Sequence, residues 1–187
     1  MKVIAGSAKG TILKTPRGFS TRPTSGKVKG AFFNIIGKQI LDACFLDLFA
    51  GTGGMGIEAL SRGCSYSVFV ENKHVCIKLI KDNLKKSKVF DKAAVIQSDV
   101  HIALNRLSKQ GFKFDIIYID PPYLYETILE LIADLDKLNL LAPGGVLGVE
   151  RDSRNCIEGI DYLPYAFRQR KLYGNTQLLL FQNEPQK

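Results

Sequence analysis

Asp120-Pro121-Pro122-Tyr123 follows the apolar run Phe114-Asp115-Ile116-Ile117-Tyr118-Ile119. The length and β-branched content of that run read as a buried strand that stops at Pro121. Such a strand delivers a carboxylate, two rigid prolines and an aromatic ring to the rim of a sheet. Each has a use if the substrate is a nucleobase carrying an exocyclic amine. The amine lone pair is delocalised into the ring, which makes the nitrogen a weak nucleophile. A side-chain acceptor and a backbone carbonyl, both hydrogen-bonded to the NH2, pull it toward tetrahedral geometry and free the lone pair. Pro121 fixes its own φ and biases Asp120 toward an extended backbone. Tyr123 offers a face on which a base can stack. The plain alternative is a turn that merely ends a strand.

A second candidate group lies earlier, in Asp47-Leu48-Phe49-Ala50-Gly51-Thr52-Gly53-Gly54-Met55-Gly56. Gly51, Gly53 and Gly56 satisfy the spacing of the dinucleotide fingerprint. By themselves they say only that a ligand or a helix approaches the backbone. Glu71 stands 24 residues after Asp47, at the end of the next strand, and suits a carboxylate that accepts from ribose hydroxyls. Asp99, after the strand beyond that, can reach an adenine amino group. Phe49, Asn72 and Val100 adjoin these positions and count with them as cofactor contacts. For each carboxylate the competing assignment is a helix N-cap. NAD would bring a pyrophosphate to the helix N-terminus. S-adenosylmethionine has no phosphate and carries a sulfonium cation, which an acidic rim with Asp47 beside the turn suits better.

These residues need a sheet whose strands end on one side. From Cys44 onward, strand-like and helix-like segments alternate. Strands are expected at Phe45–Phe49, Ser67–Glu71, Ala93–Ile96, up to Asp120, and at Val146–Val149 after a turn at Pro143-Gly144-Gly145. The intervening helices run through Ile57 to Arg62, from about His74 to Lys86 as a basic amphipathic helix with Val75, Leu79, Ile80 and Leu84 inward, through Ile102 to Leu107, and through Ile128 to Leu135. This alternation calls for a parallel sheet covered on both faces. Ala166–Tyr173 and Thr176–Phe181, joined at Gly174-Asn175, read as an antiparallel pair at its edge. Asp47, Glu71, Asp99 and Asp120 then line one crevice at the carboxyl edge.

The first 38 residues hold eight basic side chains and no acidic one, whereas residues 39–187 hold eighteen of each, so the whole net charge of +8 sits in the first fifth. A polyanionic partner accounts for that segregation. Lys9, Arg17, Arg22, Thr24, Lys27 and Lys29 are the candidate contacts. Val3–Gly6 and Thr11–Lys14 read as a hairpin, and Thr24 as the N-cap of a helix through Val28, Phe32, Ile35 and Ile36. With 187 residues a single domain is expected: residues 1–40 form a basic hairpin and helix, and 41–187 a catalytic core. Cys44, Cys64, Cys76 and Cys156 are scattered and, with His74 and His101, lack metal-site spacing. Reduced thiols and no metal are expected. No apolar run reaches the roughly 20 residues of a membrane span, and the opening is too short for a signal peptide, so the cytoplasm is the expected compartment.

With both groups in view, the chain resembles class I S-adenosylmethionine-dependent methyltransferases that act on amines. It is most similar to the bacterial 16S ribosomal RNA guanine-N2 methyltransferases of the RsmD type. Ile4-Ala5-Gly6, Arg22-Pro23-Thr24-Ser25, Phe33-Asn34-Ile35, Asp47-Leu48-Phe49-Ala50-Gly51, Glu58-Ala59-Leu60-Ser61-Arg62-Gly63 and Asp120-Pro121-Pro122-Tyr123 match that family in order. Gly26-Lys27 and Lys29-Gly30 depart from its acidic-basic pair and further arginines, at the RNA-facing helix. The resemblance implies an α/β, Rossmann-like, mostly parallel seven-stranded sheet with an antiparallel C-terminal hairpin and a small RNA-contacting extension. It implies methylation of one guanine of 16S rRNA, free or in an assembling small subunit, by a monomer that uses S-adenosylmethionine and no metal. Asp47, Gly51, Gly53, Glu71 and Asp99 would hold the cofactor, and Asp120, Pro121 and Tyr123 the flipped base. Amino-methylation of adenine or cytosine in DNA would use the same four residues, but no target-recognition domain is evident. A non-catalytic RNA-binding or ribosome-assembly module is the reading from another class, and an NAD-dependent enzyme the last.

Overall fold

The apolar runs form strands because both faces are covered: Leu46, Val68, Phe69, Ile116, Ile117 and Leu147 are all 0% exposed, a burial that only a sheet between two layers provides. The computed structural model describes residues 1–16, 26–122, 125, 127–155, 160 and 163–184. In chain order the elements are α1 (Gly26–Ile36), β1 (Cys44–Leu48), α2 (Gly54–Ser61), β2 (Tyr66–Glu71), α3 (His74–Lys86), β3 (Ala93–Gln97) and α4 (Val100–Lys109). They continue with β4 (Phe114–Ile119), α5 (Ile128–Lys137), β5 (Leu141–Asp152), β6 (Ala166–Tyr173) and β7 (Thr176–Gln182). The strands make a 7-stranded sheet in the order β3-β2-β1-β4-β5-β7-β6. β1 to β5 pair parallel, while β7 runs antiparallel to both β5 and β6. The expected architecture, C-terminal hairpin included, is the one observed.

The helices divide between the faces. Residues of α1, α2 and α3 share one apolar layer with Phe45, Phe69 and Tyr118. Those of α4 and α5 share the other with Leu46, Val68 and Ile117. Burying one such side chain contributes roughly 1.5–3 kcal/mol. Four of them in α1 (Val28, Phe32, Phe33, Ile36) outweigh the ~1 kcal/mol that each of Gly26 and Gly30 costs relative to alanine.

The N-terminal segment is tied down by α2. Glu58, fully buried, accepts the backbone N–H groups of Ile4 (2.8 Å) and Ala5 (3.0 Å). It also pairs with Lys29 Nζ at 3.0 Å and Arg62 Nε at 2.8 Å. Ser61 Oγ donates to the Ala5 carbonyl and accepts from the Ala8 N–H. Removing one partner from a buried pair of this kind costs about 3–5 kcal/mol. Lys29 is therefore not an RNA contact: it is 0% exposed, and its ammonium spends its remaining reach on the Lys2 carbonyl at 2.9 Å.

Other expectations also change. The N-terminal hairpin is reduced to one bridge, Lys2↔Ile12, with further backbone bonds from Val3 to Thr11 and from Leu13 to Met1. Phe49 lies beyond β1, at φ 59. The inward face of α3 is Cys76, Ile77, Ile80, Asn83 and Leu84, while Val75 is 53% exposed. Pro143-Gly144-Gly145 does not precede the fifth strand but bulges within it, since Phe114 pairs with Leu141 and Ile116 with Val146. Asn183 holds the bulge by exchanging backbone bonds with Gly144 and Gly145.

Candidate active site

After β1 the chain moves outward through β2 and β3, then returns to place β4 on the other side of β1. Strand order therefore reverses between β1 and β4, and in open α/β sheets the crevice outside the carboxyl ends at such a point is where ligands bind. Leu48 pairs with Ile119 there, and the Asp120 N–H faces the Leu48 carbonyl at 3.4 Å. Asp120 is half-buried at this point, followed by half-buried Pro121 and exposed Pro122. Beneath it, the fully buried Tyr118 hydroxyl donates to Glu150 Oε2 at 2.5 Å. Burial first, then the Glu150 and Asp120 carboxylates, hold that phenol well above its ordinary pKa. It stays a proton donor. Tyr123, expected to stack on the base, lies outside the described residues.

On the β1 side, Phe49 turns the chain in the left-handed region, which a bulky residue adopts only when its surroundings enforce it. Gly53, at φ 82, is the N-cap of α2. A Cβ on Gly56 would lie 2.3 Å from Phe69 Cε1, so this glycine is what lets α2 lie against β2. Two carboxylates secure the turn. Asp47 Oδ2 accepts the Gly56 N–H at 2.8 Å from below. Glu71 Oε2 accepts the Gly51 N–H at 2.8 Å, and its Oε1 accepts those of Asn72 and Lys73, each at 2.9 Å. Asp47 is 2% exposed and belongs to the floor of the turn rather than to an acidic rim. Burial pushes its carboxyl up to about 7; the Gly56 bond opposes that shift and the Glu71 charge adds to it.

Asp99 caps α4, its Oδ1 accepting the His101 N–H at 2.9 Å. Val100, the first residue of α4, is buried, and Asn72 is exposed beside Glu71. The structure thus gathers Phe49, Gly51, Gly53, Glu71, Asn72, Asp99 and Val100 at the carboxyl ends of β1, β2 and β3. Near the glycine turn lie the carboxylates Asp47 and Glu71, each already accepting main-chain N–H groups. The carboxylate of Glu71 is compatible with a ligand that brings positive charge.

One constellation escaped the sequence. His101 Nδ1 lies 2.8 Å from Asp134 Oδ2, and its Nε2 lies 3.1 Å from the Tyr125 hydroxyl. The imidazole thus bridges the Asp134 carboxylate and the Tyr125 hydroxyl. The Tyr125 ring meets Phe49 edge to face, centroids 5.0 Å apart, and its carbonyl accepts from Arg151 Nη2 at 3.3 Å. Tyr125 is thereby linked to α4, α5, β5 and the glycine turn. Tyr125, two residues past Tyr123, was the only hint in the sequence.

Among the proposed RNA contacts, Lys9 and Lys27 are exposed on the N-terminal side. Arg17, Arg22 and Thr24 lie outside the described residues. Cys44, Cys64 and Cys76 are free thiols, and burial pushes Cys64 up to about 12; Cys156 lies outside the described residues. Among the described residues no three His, Cys, Asp or Glu side chains are grouped to hold a metal ion, and no helix is long and apolar enough to cross a membrane.

Comparison with known proteins agrees with this geometry. The model of the family described as "Conserved hypothetical protein 95" matches residues 1–182. Ribosomal RNA small subunit methyltransferase D of Escherichia coli (strain K12) is 32% identical over 189 aligned residues, which cover 100% of this chain and 91% of that protein. The Bacillus subtilis (strain 168) protein YlbH is 41% identical over 152 residues, 81% of this chain and 83% of its own. The solved structure of yhhF from Escherichia coli superposes with a TM-score of 0.85 at 30% identity, covering 100% and 99% of the two chains.

Proposed function

The chain belongs to the RsmD-type family of class I S-adenosylmethionine-dependent methyltransferases, and we propose that it methylates the exocyclic N2 amine of a guanine in 16S rRNA. The observation that carries this reading is the position of Asp120. It sits at the point where strand order reverses, one strand away from the glycine turn.

S-adenosylmethionine, when bound, supplies an electrophilic methyl group on a sulfonium. Phe49, Gly51, Gly53, Glu71, Asn72, Asp99 and Val100 are the residues that would hold it, over the floor made by Asp47. Their acidic character fits a cationic ligand. On the β4 side the target base is unstacked and swung out of the RNA. Asp120 and the Pro121 carbonyl accept from its amine and localise the nitrogen lone pair. Pro121 and Pro122 keep those acceptors rigid, and Tyr123 stacks on the ring. Positioning and exclusion of water then supply most of the acceleration. The methylated amine is acidic and sheds its proton to solvent, so no strong base is required. Lys9, Arg17, Arg22, Thr24 and Lys27 would engage the RNA backbone. The setting of such a reaction is the cytoplasm, and the expected form is a monomer.

The test offers isotopically labelled S-adenosylmethionine with free 16S rRNA, with unmethylated small subunits and with duplex DNA. Label recovered as N2-methylguanosine from one of the first two substrates is the expected result. Label recovered only as a methylated adenine or cytosine in DNA overturns it. No label, with no binding of S-adenosylmethionine by calorimetry, points to a binding module instead.

A further inference from the structure

Summed over the chain, residues 39–187 are neutral, but the fold does not distribute that balance evenly. Between residues 73 and 92 there are seven lysines against only Asp82 and Asp91. Most of them decorate α3, where Lys78, Lys81 and Lys85 recur at i, i+3 and i+7 and Lys88 extends the row just past its end. All four are exposed. Like charges at these spacings repel along a helix surface, so the row works against the stability of α3.

Contacts join this row to the basic N-terminal segment. Asp82 pairs with Lys14 at 2.8 Å, which cancels the one acid on α3 and brings the segment alongside. Lys86 Nζ donates to the Ile12 carbonyl at 2.6 Å. Phe90, 41% exposed, lies beneath Lys85, whose ammonium is 5.5 Å from the ring centroid. An exposed aromatic ring set among lysines is the pairing that single-stranded nucleic acid uses, cations for phosphates and a face for a base. The opposite face differs: α4 and α5 carry Arg106, Lys109 and Lys137 against Glu130, Asp134 and Asp136.

We propose that the outer face of α3, continuous with the N-terminal segment, docks the phosphate backbone of the RNA substrate at a distance from the catalytic rim. The inference rests on the methyltransferase reading above and adds a footprint to it. α3 begins three residues after Glu71 and runs away from the rim for about 20 Å at 1.5 Å per residue. RNA whose target base enters at Asp120 has a basic track to follow beyond the cofactor side. A membrane surface fits less well, because an interfacial helix inserts its apolar face and that of α3 is buried in the core through Ile77, Ile80 and Leu84.

The experiment compares the full-length parent with the triple variant Lys78→Gln/Lys81→Gln/Lys85→Gln and with the opposite-face control Lys109→Gln/Lys137→Gln. Binding of 16S rRNA is titrated across a salt series, and methyl transfer is followed with rRNA varied. For the triple variant the slope of log K against log salt should become shallower by about 2, at close to 0.7–0.9 per lost phosphate contact. KM for rRNA should rise about tenfold or more, while kcat and S-adenosylmethionine affinity match the parent and the melting temperature is equal to or above the parent's. The control should match the parent throughout. Parental slope and KM in the triple variant, with the parent still methylating rRNA, overturn the α3 footprint and leave the catalytic reading standing. A parent that neither binds nor methylates rRNA overturns both. So does a parent that binds anionic vesicles and not RNA.

Discussion

The two halves of the crevice are held by different means. On the β1–β2 side, a tight backbone turn is fastened by buried or nearly buried carboxylates that accept main-chain N–H groups: Asp47 from Gly56, and Glu71 from Gly51, Asn72 and Lys73. Hydrogen bonds of this charge-assisted kind are worth about 1.5–3 kcal/mol each, and they fix the turn before any ligand arrives. On the β4 side, Tyr125 is held by side chains reaching in from other elements, its hydroxyl by His101, itself paired with Asp134, and its carbonyl by Arg151. A cofactor that is the same in every turnover suits a rigid cradle. A base that must enter and leave suits a site supported by side chains rather than by a fastened backbone turn. The halves should therefore fail differently when broken.

The largest effect on cofactor affinity is expected at Glu71. Glu71→Ala strips three backbone donors of their acceptor and should weaken S-adenosylmethionine binding by about a hundredfold, near 2.7 kcal/mol at 1.36 kcal/mol per decade. Isothermal titration measures it. An unchanged affinity would show that the turn is held without this carboxylate.

A smaller effect, confined to the other half, is expected from Tyr125→Phe. It removes one hydroxyl and leaves the ring on Phe49, so kcat should fall by roughly tenfold or less, the scale of about 1 kcal/mol for one hydrogen bond. His101→Gln should act in the same direction. Cofactor affinity should be untouched in both, and a matching loss of affinity would erase the distinction between the halves.

An effect read on stability alone, with activity spared, belongs to the floor of the cradle. Asp47→Asn keeps an oxygen for the Gly56 N–H and removes the titration. Because the folded-state pKa of Asp47 is raised to about 7 from 3.8, the folded protein binds the proton more tightly than the unfolded chain. Stability from this group is complete below about pH 4 and is lost as pH rises through about 7. The melting temperature of the parent should drop relative to Asp47→Asn across that window, and parallel curves would contradict the assignment.

How much of this was legible in the sequence follows the same division. The strands of the parallel sheet and the glycine turn depend on neighbours in the chain, so apolar runs and glycine spacing revealed them; the limits of α3, His74 to Lys86, agree with the structure. The position of Asp120 followed from a strand ending at proline. The supports of its segment did not, because His101, Tyr125 and Asp134 come from two helices and a connection, and no local pattern joins them. Lys29 misled for a related reason. Lysine is rarely buried unless paired, and its partner Glu58 lies on another helix. The basic character of α3 was legible along its own length, but its approach to the N-terminal segment was not, because the Lys14–Asp82 and Lys86–Ile12 contacts join residues far apart in the chain. The bulge at Pro143-Gly144-Gly145 needs Asn183, which only the antiparallel return of β7 supplies.

The role of Asp120 is tested most directly by measuring kcat and S-adenosylmethionine affinity together for Asp120→Ala. The account predicts a kcat lower by about a hundredfold or more, the scale of a misplaced reacting group, with cofactor affinity within about twofold of the parent. Equal losses in the two quantities would place this carboxylate in the cofactor cradle and contradict its assignment to the base.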